Sequence, residues 1–313
     1  MFRFALKRLA SSIFVLWVVV TATFVLMKLM PGGPFDRERS FPEAIQRNIR
    51  ARYGLDRPLW RQYVAYMGPM LRGDLGVSFK SQGESVTKLI LEKFPYSAVI
   101  GLLSLLISIG VGVPAGIFCS LKQNKPSDRL AMLITIVGVS VPSFILATIL
   151  QYVAAVRWKI FNAAGMDHWY DLRNAILPAL ALSGYSLAFI TRLTRSSFID
   201  TIHDEWVRTA YAKGLAPLRV LVRHVLRNAI LPVITYLGPL AAAVLTGSIV
   251  IEKIFSIPGL GQFFYTAPTD RDYPMIMGVT IFYSALLIMF NFAVDVLYVL
   301  LDPRISFEGT ARK

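Results

Sequence analysis

The chain has 313 residues, of which 55% are hydrophobic and 17% charged, and its mean hydropathy is +0.55. That is too apolar for an ordinary soluble domain and argues for an all-α polytopic membrane protein. The formal net charge of +14 would suit a nucleic-acid binder, but Lys and Arg sit in the gaps between apolar runs; control of membrane topology is the simpler reading, and no nucleic acid is expected.

A helix needs about 20 apolar residues to cross a bilayer. Six segments qualify: residues 9–27, 94–121, 130–156, 174–191, 228–251 and 273–294, the last continuing past Asp295 to residue 301. Arg3, Lys7 and Arg8 precede the first, which reads as an uncleaved anchor because its apolar run exceeds a signal-peptide core and no small-x-small site follows before Pro31-Gly32-Gly33. With both termini cytoplasmic, the inner segments hold sixteen Lys and Arg and the two short outer loops five. The segment 31–93 carries eleven more but is long enough to be translocated regardless of charge; its stretches 41–53 and 59–71 have helical spacing. Trp60, Tyr63 and Tyr66 suggest an outer platform for a soluble protein, or simply a cap on the first span. Gly112-x-x-x-Gly116, Ala241-Ala242-Ala243 and Gly247-Ser248 let helices approach closely, within this chain or toward a pore or partner.

The segment Glu205 to Pro232 lies on the inner side. Thr201-x-x-Asp204 fits a capping box, predicting a short helix to about Lys213. Gly214 supplies a left-handed stop and Pro217 prevents continuation. Trp206, Arg208, Ala210, Tyr211, Ala212 and Lys213 would lie on this helix, small residues admitting a partner and aromatics anchoring it. A second helix from about Leu218 would run into the fifth span, with Arg219, Arg223 and Arg227 in one basic stripe facing lipid headgroups or a docked protein's carboxylates. Near the C-terminus, Asp295 and Asp302-Pro303-Arg304 read as an ion pair or helix cap, or as a hinge contact.

The chain has no GxxxxGK[ST] and no HExxH, and Asp295 is the only acid inside a predicted span, so neither P-loop ATP binding, a zincin-type site nor a proton-relay carrier is suggested. An intramembrane enzyme and a stand-alone channel or secondary carrier are the rival classes. Cys119 reads as packing, and His168, His203 and His224 lack metal-ligand spacing.

Several motifs occur in order along nearly the whole chain: Leu29-Met30-Pro31-Gly32-Gly33-Pro34; Gly54-Leu55-Asp56-Arg57-Pro58-Leu59-Trp60; Arg72-Gly73-Asp74-Leu75-Gly76; Glu205-x-Val207-Arg208-Thr209-Ala210-x-Ala212-Lys213-Gly214-Leu215; Arg223-His224-x-Leu226-Arg227-Asn228-Ala229-x-x-Pro232; Glu252-x-x-Phe255-x-Ile257-Pro258-Gly259-Leu260-Gly261; and Asp295-x-x-Tyr298-x-x-x-Asp302-Pro303-Arg304. Together they resemble the permease subunits of the dipeptide/oligopeptide ABC importer family, with Gly33 where that family usually has an acid. The stretch from Glu205 resembles the ATPase-docking EAA motif of ABC importers. Its spacing, nine residues from Glu205 to Gly214 and eighteen from Gly214 to Pro232, is the longer one associated with the peptide branch.

The resemblance implies the type I importer permease fold (MetI-like core) in the cytoplasmic membrane. Residues 1–95 would form the first span and an extracytoplasmic segment, 96–308 the transmembrane core with a coupling loop at about 192–228, and 309–313 a tail. It further implies a heterodimer with a sister permease, two cytoplasmic ATPase subunits that hold ATP and Mg²⁺, an extracytoplasmic substrate-binding protein, and no cofactor or catalysis on this chain. Dipeptides, oligopeptides, glutathione and nickel all remain open as cargo.

Overall fold

The computed structural model describes residues 2–30, 54, 56–81 and 83–301, with side chains from residue 8 to residue 297 of that set. The described residues are helical, apart from turns and a single bridge between Val77 and Ser85. Among the described residues five helices are long and apolar enough to cross a membrane, or six if one sharply bent pair counts as a span. Two compact units share the chain: residues 1–95 with 259–286, and residues 96–258 with 287–313.

In the first unit, α1 (Phe2–Leu29), α2 (Leu59–Met70), the start of α3 (Val86–Leu121), α12 (Phe263–Asp270) and the first part of α13 (Tyr273–Leu301) meet. Within α1 the hydroxyls of Thr21 and Thr23 donate to the carbonyls of Trp17 and Val19, each at 2.8 Å, so these polar side chains cost little in an apolar helix. Val20, Phe24 and Met27 pack against Tyr273 and Met277. Asp272, buried just ahead of α13, accepts from the Met275 amide at 3.3 Å, from the Phe79 amide at 3.1 Å and from the Ser78 hydroxyl. It thereby satisfies an orphan donor of the helix start and ties down the 78–81 turn. The 59–70 helix agrees with the sequence expectation; the stretch 41–53 and the Pro31–Pro34 motif lie outside the described residues.

The second unit holds the rest of α3, α4 (Pro126–Ser140), α5 (Ser143–Leu150), α6 (Leu172–Ile202) and the elements from 205 to 258. The segment 130–156, expected as a span, is bent by 103° between α4 and α5. Pro142 has no N–H to continue α4 and forces Val141 into an extended conformation (φ −80°, ψ 120°). Beyond α5 the chain widens to π-helical turns over Gln151–Arg157. The Gln151 amide fastens them, donating to Ala163 O at 2.6 Å and to Ile254 O at 3.1 Å. The fourth span, expected at 174–191, is the 31-residue α6, started by Asp171, whose carboxylate accepts from the Asn174 amide and side chain.

Gly112 and Gly116 place α3 directly on α6: a Cβ at Gly116 would lie 2.6 Å from Thr191 O and from Thr194 Cβ. The small-residue spacing therefore serves packing inside this chain. The fifth span starts as α10 (Leu231–Leu245), breaks at Gly247 (φ +97°) and resumes as α11 (Ile249–Ile254), capped by Ser248. Glu252, buried in α11, accepts from the Ser97 hydroxyl at 2.6 Å.

Candidate functional site

The segment after α6 forms a compact corner. α7 (Glu205–Ala212) follows Asp204, whose extended backbone (φ −63°, ψ 145°) accepts the first helical bond from Val207 N at 3.1 Å. The expected capping box is not made. Thr201 still belongs to α6's last turn, its hydroxyl donates to Ser197 O at 2.7 Å, and the Asp204 side chain makes no cap bond. The C-terminal expectation is met: Gly214 takes φ +77°. Gly214 N donates to Tyr211 O at 2.9 Å and Leu215 N to Ala210 O at 3.4 Å, the paired bonds of a Schellman stop. Pro217 then opens the next helix.

One side of α7 is seated: Val207 (0% exposed) and Ala210 pack with Phe198, Val220, Val225 and Ala229. Trp206 and Tyr211 flank this seated stripe and are 39% and 41% exposed, Glu205, Arg208 and Ala212 face away from it, and Lys213 and Gly214 are exposed as well. Two large aromatics left in the open on one short helix make a surface suited to anchoring in another protein's pocket.

The second helix is less regular than its sequence suggests. It runs as α8 (Pro217–Val220), π-helical Leu221–Val225 and α9 (Leu226–Ala229) before α10. Arg223 lies within the π turns, between Arg219 of α8 and Arg227 of α9. Arg223 and Arg227 line a cleft of about 740 Å³, together with Asp204, Trp206, Thr209, Ala210, Lys213, Leu215, His224 and Asn228; Arg219 is exposed outside it. Lys213, Arg223 and Arg227 give this cleft a basic lining beside the carboxylate of Asp204. Asp295 is half-buried on α13 and is not part of the cleft lining, while Asp302 and Arg304 lie outside the described residues.

Sequence reasoning missed a buried ion pair beside this corner. Asp128, at the start of α4, receives Arg195 Nε at 2.6 Å and Nη2 at 2.7 Å, and also accepts from the Asn124 amide at 2.9 Å. The bidentate geometry locks α4 to α6, the helix that leads into α7. The two residues are 67 positions apart, so no local spacing signals the pair. Among the described residues, no group of three His, Cys, Asp or Glu side chains is placed to hold a metal ion.

Residues 112–307 match the family described as binding-protein-dependent transport system inner membrane component, and residues 1–101 match the N-terminal segment of such components. The dipeptide transport system permease protein DppB of Bacillus subtilis is 45% identical, over 98% of this chain and 99% of its own length. The oligopeptide transport system permease proteins OppB of Haemophilus influenzae and of Escherichia coli are 39% and 40% identical, each over 98% of this chain and 100% of its own. A chain from inward-facing conformations of the MetNI methionine ABC transporter matches with a TM-score of 0.55, covering 69% of this chain and 97% of that one at 16% identity, a likeness of fold.

Proposed function

The chain belongs to the family of binding-protein-dependent transport system inner membrane components, and from that premise we propose that it is a membrane-spanning subunit of an ATP-driven importer of dipeptides or oligopeptides. Its peptide-permease relatives match it end to end, which supports peptides over the other cargoes of such systems. The observation that carries the mechanism is the corner at α7: a short helix with one face seated on its own bundle, a glycine stop, and two exposed aromatics beside a basic cleft.

In this reading α7 is the coupling helix. Trp206 and Tyr211 enter a cleft of a cytoplasmic ATPase, Glu205 pairs with a cation there, and Arg208 and Lys213 meet its acidic rim. ATP and Mg²⁺ bind on the ATPase subunits. Closure of the ATPase pair carries α7 as a rigid body, and the spans joined to it alternate the path between outward and inward access. A nucleotide shifts such an equilibrium only through contacts that differ between the two states, and α7 supplies them. A sister permease completes the path, a soluble binding protein delivers peptide on the outer side, and both termini of this chain lie in the cytoplasm.

The test is ATP-dependent peptide uptake by the assembled transporter carrying Glu205→Lys or Gly214→Asp. Both variants should assemble in the membrane yet lose most uptake and most transport-linked ATP hydrolysis. Wild-type uptake by both would remove α7 as the coupling element.

A further inference from the structure

At the end of α1 away from Arg3, Lys7 and Arg8, the unit built from residues 1–95 and 259–286 carries an open cavity of about 230 Å³. Phe24, Phe79 and Tyr273 give it aromatic walls, and Lys28, Gln62 and Tyr66 are polar side chains of its lining. The Lys28 ammonium stands 4.9 Å from the Tyr273 ring centroid and 5.6 Å from that of Phe24, and donates to Gln62 Oε1 at 2.6 Å. An ammonium has three N–H donors, and none of the ion pairs among the described residues involves this one. Among the described residues, this half-buried cation is held by two rings and one neutral amide and has no counter-charge.

Tyr66 carries a complementary want. Its hydroxyl is sealed from solvent and has no hydrogen-bond partner. Burial, then the charge of Asp74, push the phenol's pKa up, so it stays protonated and offers its hydrogen to an acceptor. Native structures meet such groups with a water, an ion or a ligand. Lys28 and Tyr66 are both among the residues of one cavity's lining, and a cation without a carboxylate among the described residues and a covered O–H without an acceptor call for the same chemistry, an anion rich in oxygen.

Position narrows the source. Lys28 lies in the last turn of an apolar helix long enough to span, and Val25, Leu26 and Leu29 beside it are exposed. Residues at such a helix end sit at headgroup depth, where lipid phosphates are concentrated. The volume accommodates a phosphodiester. We propose that this cavity binds the phosphate of an anionic phospholipid, with Lys28 as counter-ion and Tyr66 as hydrogen-bond donor. Gln62 positions Lys28, and the aromatic walls receive the apolar part of the headgroup stem. The inference needs α1 to span the membrane but is independent of the transport cycle.

The experiment is a titration of phosphatidylglycerol into the delipidated full chain, in the assembly in which it purifies, read by native mass spectrometry. One lipid per chain should bind at low concentration. Lys28→Gln should weaken it about tenfold and Tyr66→Phe about threefold, the sizes expected for a charge-assisted and a neutral hydrogen bond. Lys28→Arg, which keeps the charge, should stay near wild type, and with Tyr66→Phe it carries the test if Lys28→Gln does not assemble. Binding indifferent to these substitutions, or no retained lipid, would overturn the site. Full displacement by inorganic phosphate would equally overturn the lipid assignment, leaving a free-anion pocket.

Discussion

Gly214 illustrates how one backbone angle can be isolated from sterics. It holds φ +77°, and a Cβ built there would meet nothing within 4 Å. Any substitution cost is therefore conformational: about 1–2 kcal/mol for alanine in the left-handed region, less for asparagine, which visits that region readily, and more for valine. Thermal unfolding of the three variants should rank them asparagine, alanine, valine in falling stability. Gly214→Asn then serves as the control for Gly214→Asp, since uptake lost only in the aspartate variant reports charge rather than shape. This stop was legible in the sequence because a glycine signal after a short amphipathic run is local. Asp272, Glu252 and the Asp128–Arg195 pair were not, because each is defined by a partner far along the chain: Ser78, Ser97 and Arg195 lie 194, 155 and 67 positions away. The Asp128–Arg195 pair should show its cost when halved. Asp128→Ala leaves a largely buried guanidinium without its carboxylate and should destabilise by about 3–5 kcal/mol, seen as a lowered melting temperature. The exchanged pair Asp128→Arg with Arg195→Asp should recover part of that loss. No recovery would mean that the surrounding amides, such as Asn124 N, read the orientation as well as the charge.

Helices as elements were mostly visible as apolar runs, since hydropathy measures length and spacing; direction and pitch are set by other forces. Proline alone does not mark a bend: Pro178 and Pro239 lie inside α6 and α10, whereas Pro142 ends a helix and turns the chain by 103°. The difference lies in the preceding residue, which at Val141 leaves the helical region altogether. The π turns at 151–157 and 221–225 are likewise absent from a hydropathy reading, and the second of them holds Arg223. Between α3 and α6 the deciding feature is distance. At Gly116 the obstruction to an added Cβ includes the Thr191 carbonyl oxygen at 2.6 Å, which is backbone and cannot rotate away. Gly116→Val should therefore force the helices apart, costing about 1–3 kcal/mol or more, and should lower the yield of folded chain from membranes. Gly110, with nothing within 4 Å of an added Cβ, should accept alanine with no such loss. Equal behaviour at the two positions in a melting assay would show that α3 and α6 adjust their separation freely.

For the second unit taken whole, the arrangement around α7 makes a mechanical argument. α6 ends at Ile202 and passes through His203 and Asp204 into α7, whose buried Val207 and Ala210 sit on Phe198 from α6 and on Val220, Val225 and Ala229 from the run that becomes α10. A force applied to α7 is thus delivered to two membrane-spanning helices at once, while Asp128 ties α4 to the same α6. Trp206 and Tyr211 flank the buried Val207 and Ala210 but are themselves exposed, so seating and the proposed docking can be tested separately. Trp206→Ala and Tyr211→Ala remove exposed side chains, so melting temperature should hold, while retention of the ATPase on purification should fall, each by about tenfold or more in affinity if these are anchor residues. Val207→Ala removes two methyls from a fully buried site and should cost about 1–2 kcal/mol. It leaves the docking face in place, so the ATPase should still co-purify, but the helix is then less firmly joined to α6 and to the 217–229 run. The expected signature is ATP hydrolysis that continues while peptide uptake drops, a slipping joint rather than a lost partner. If Val207→Ala instead releases the ATPase, and Trp206→Ala and Tyr211→Ala retain it, the exposed aromatics are not the anchors and the seating of α7 is what holds the partner.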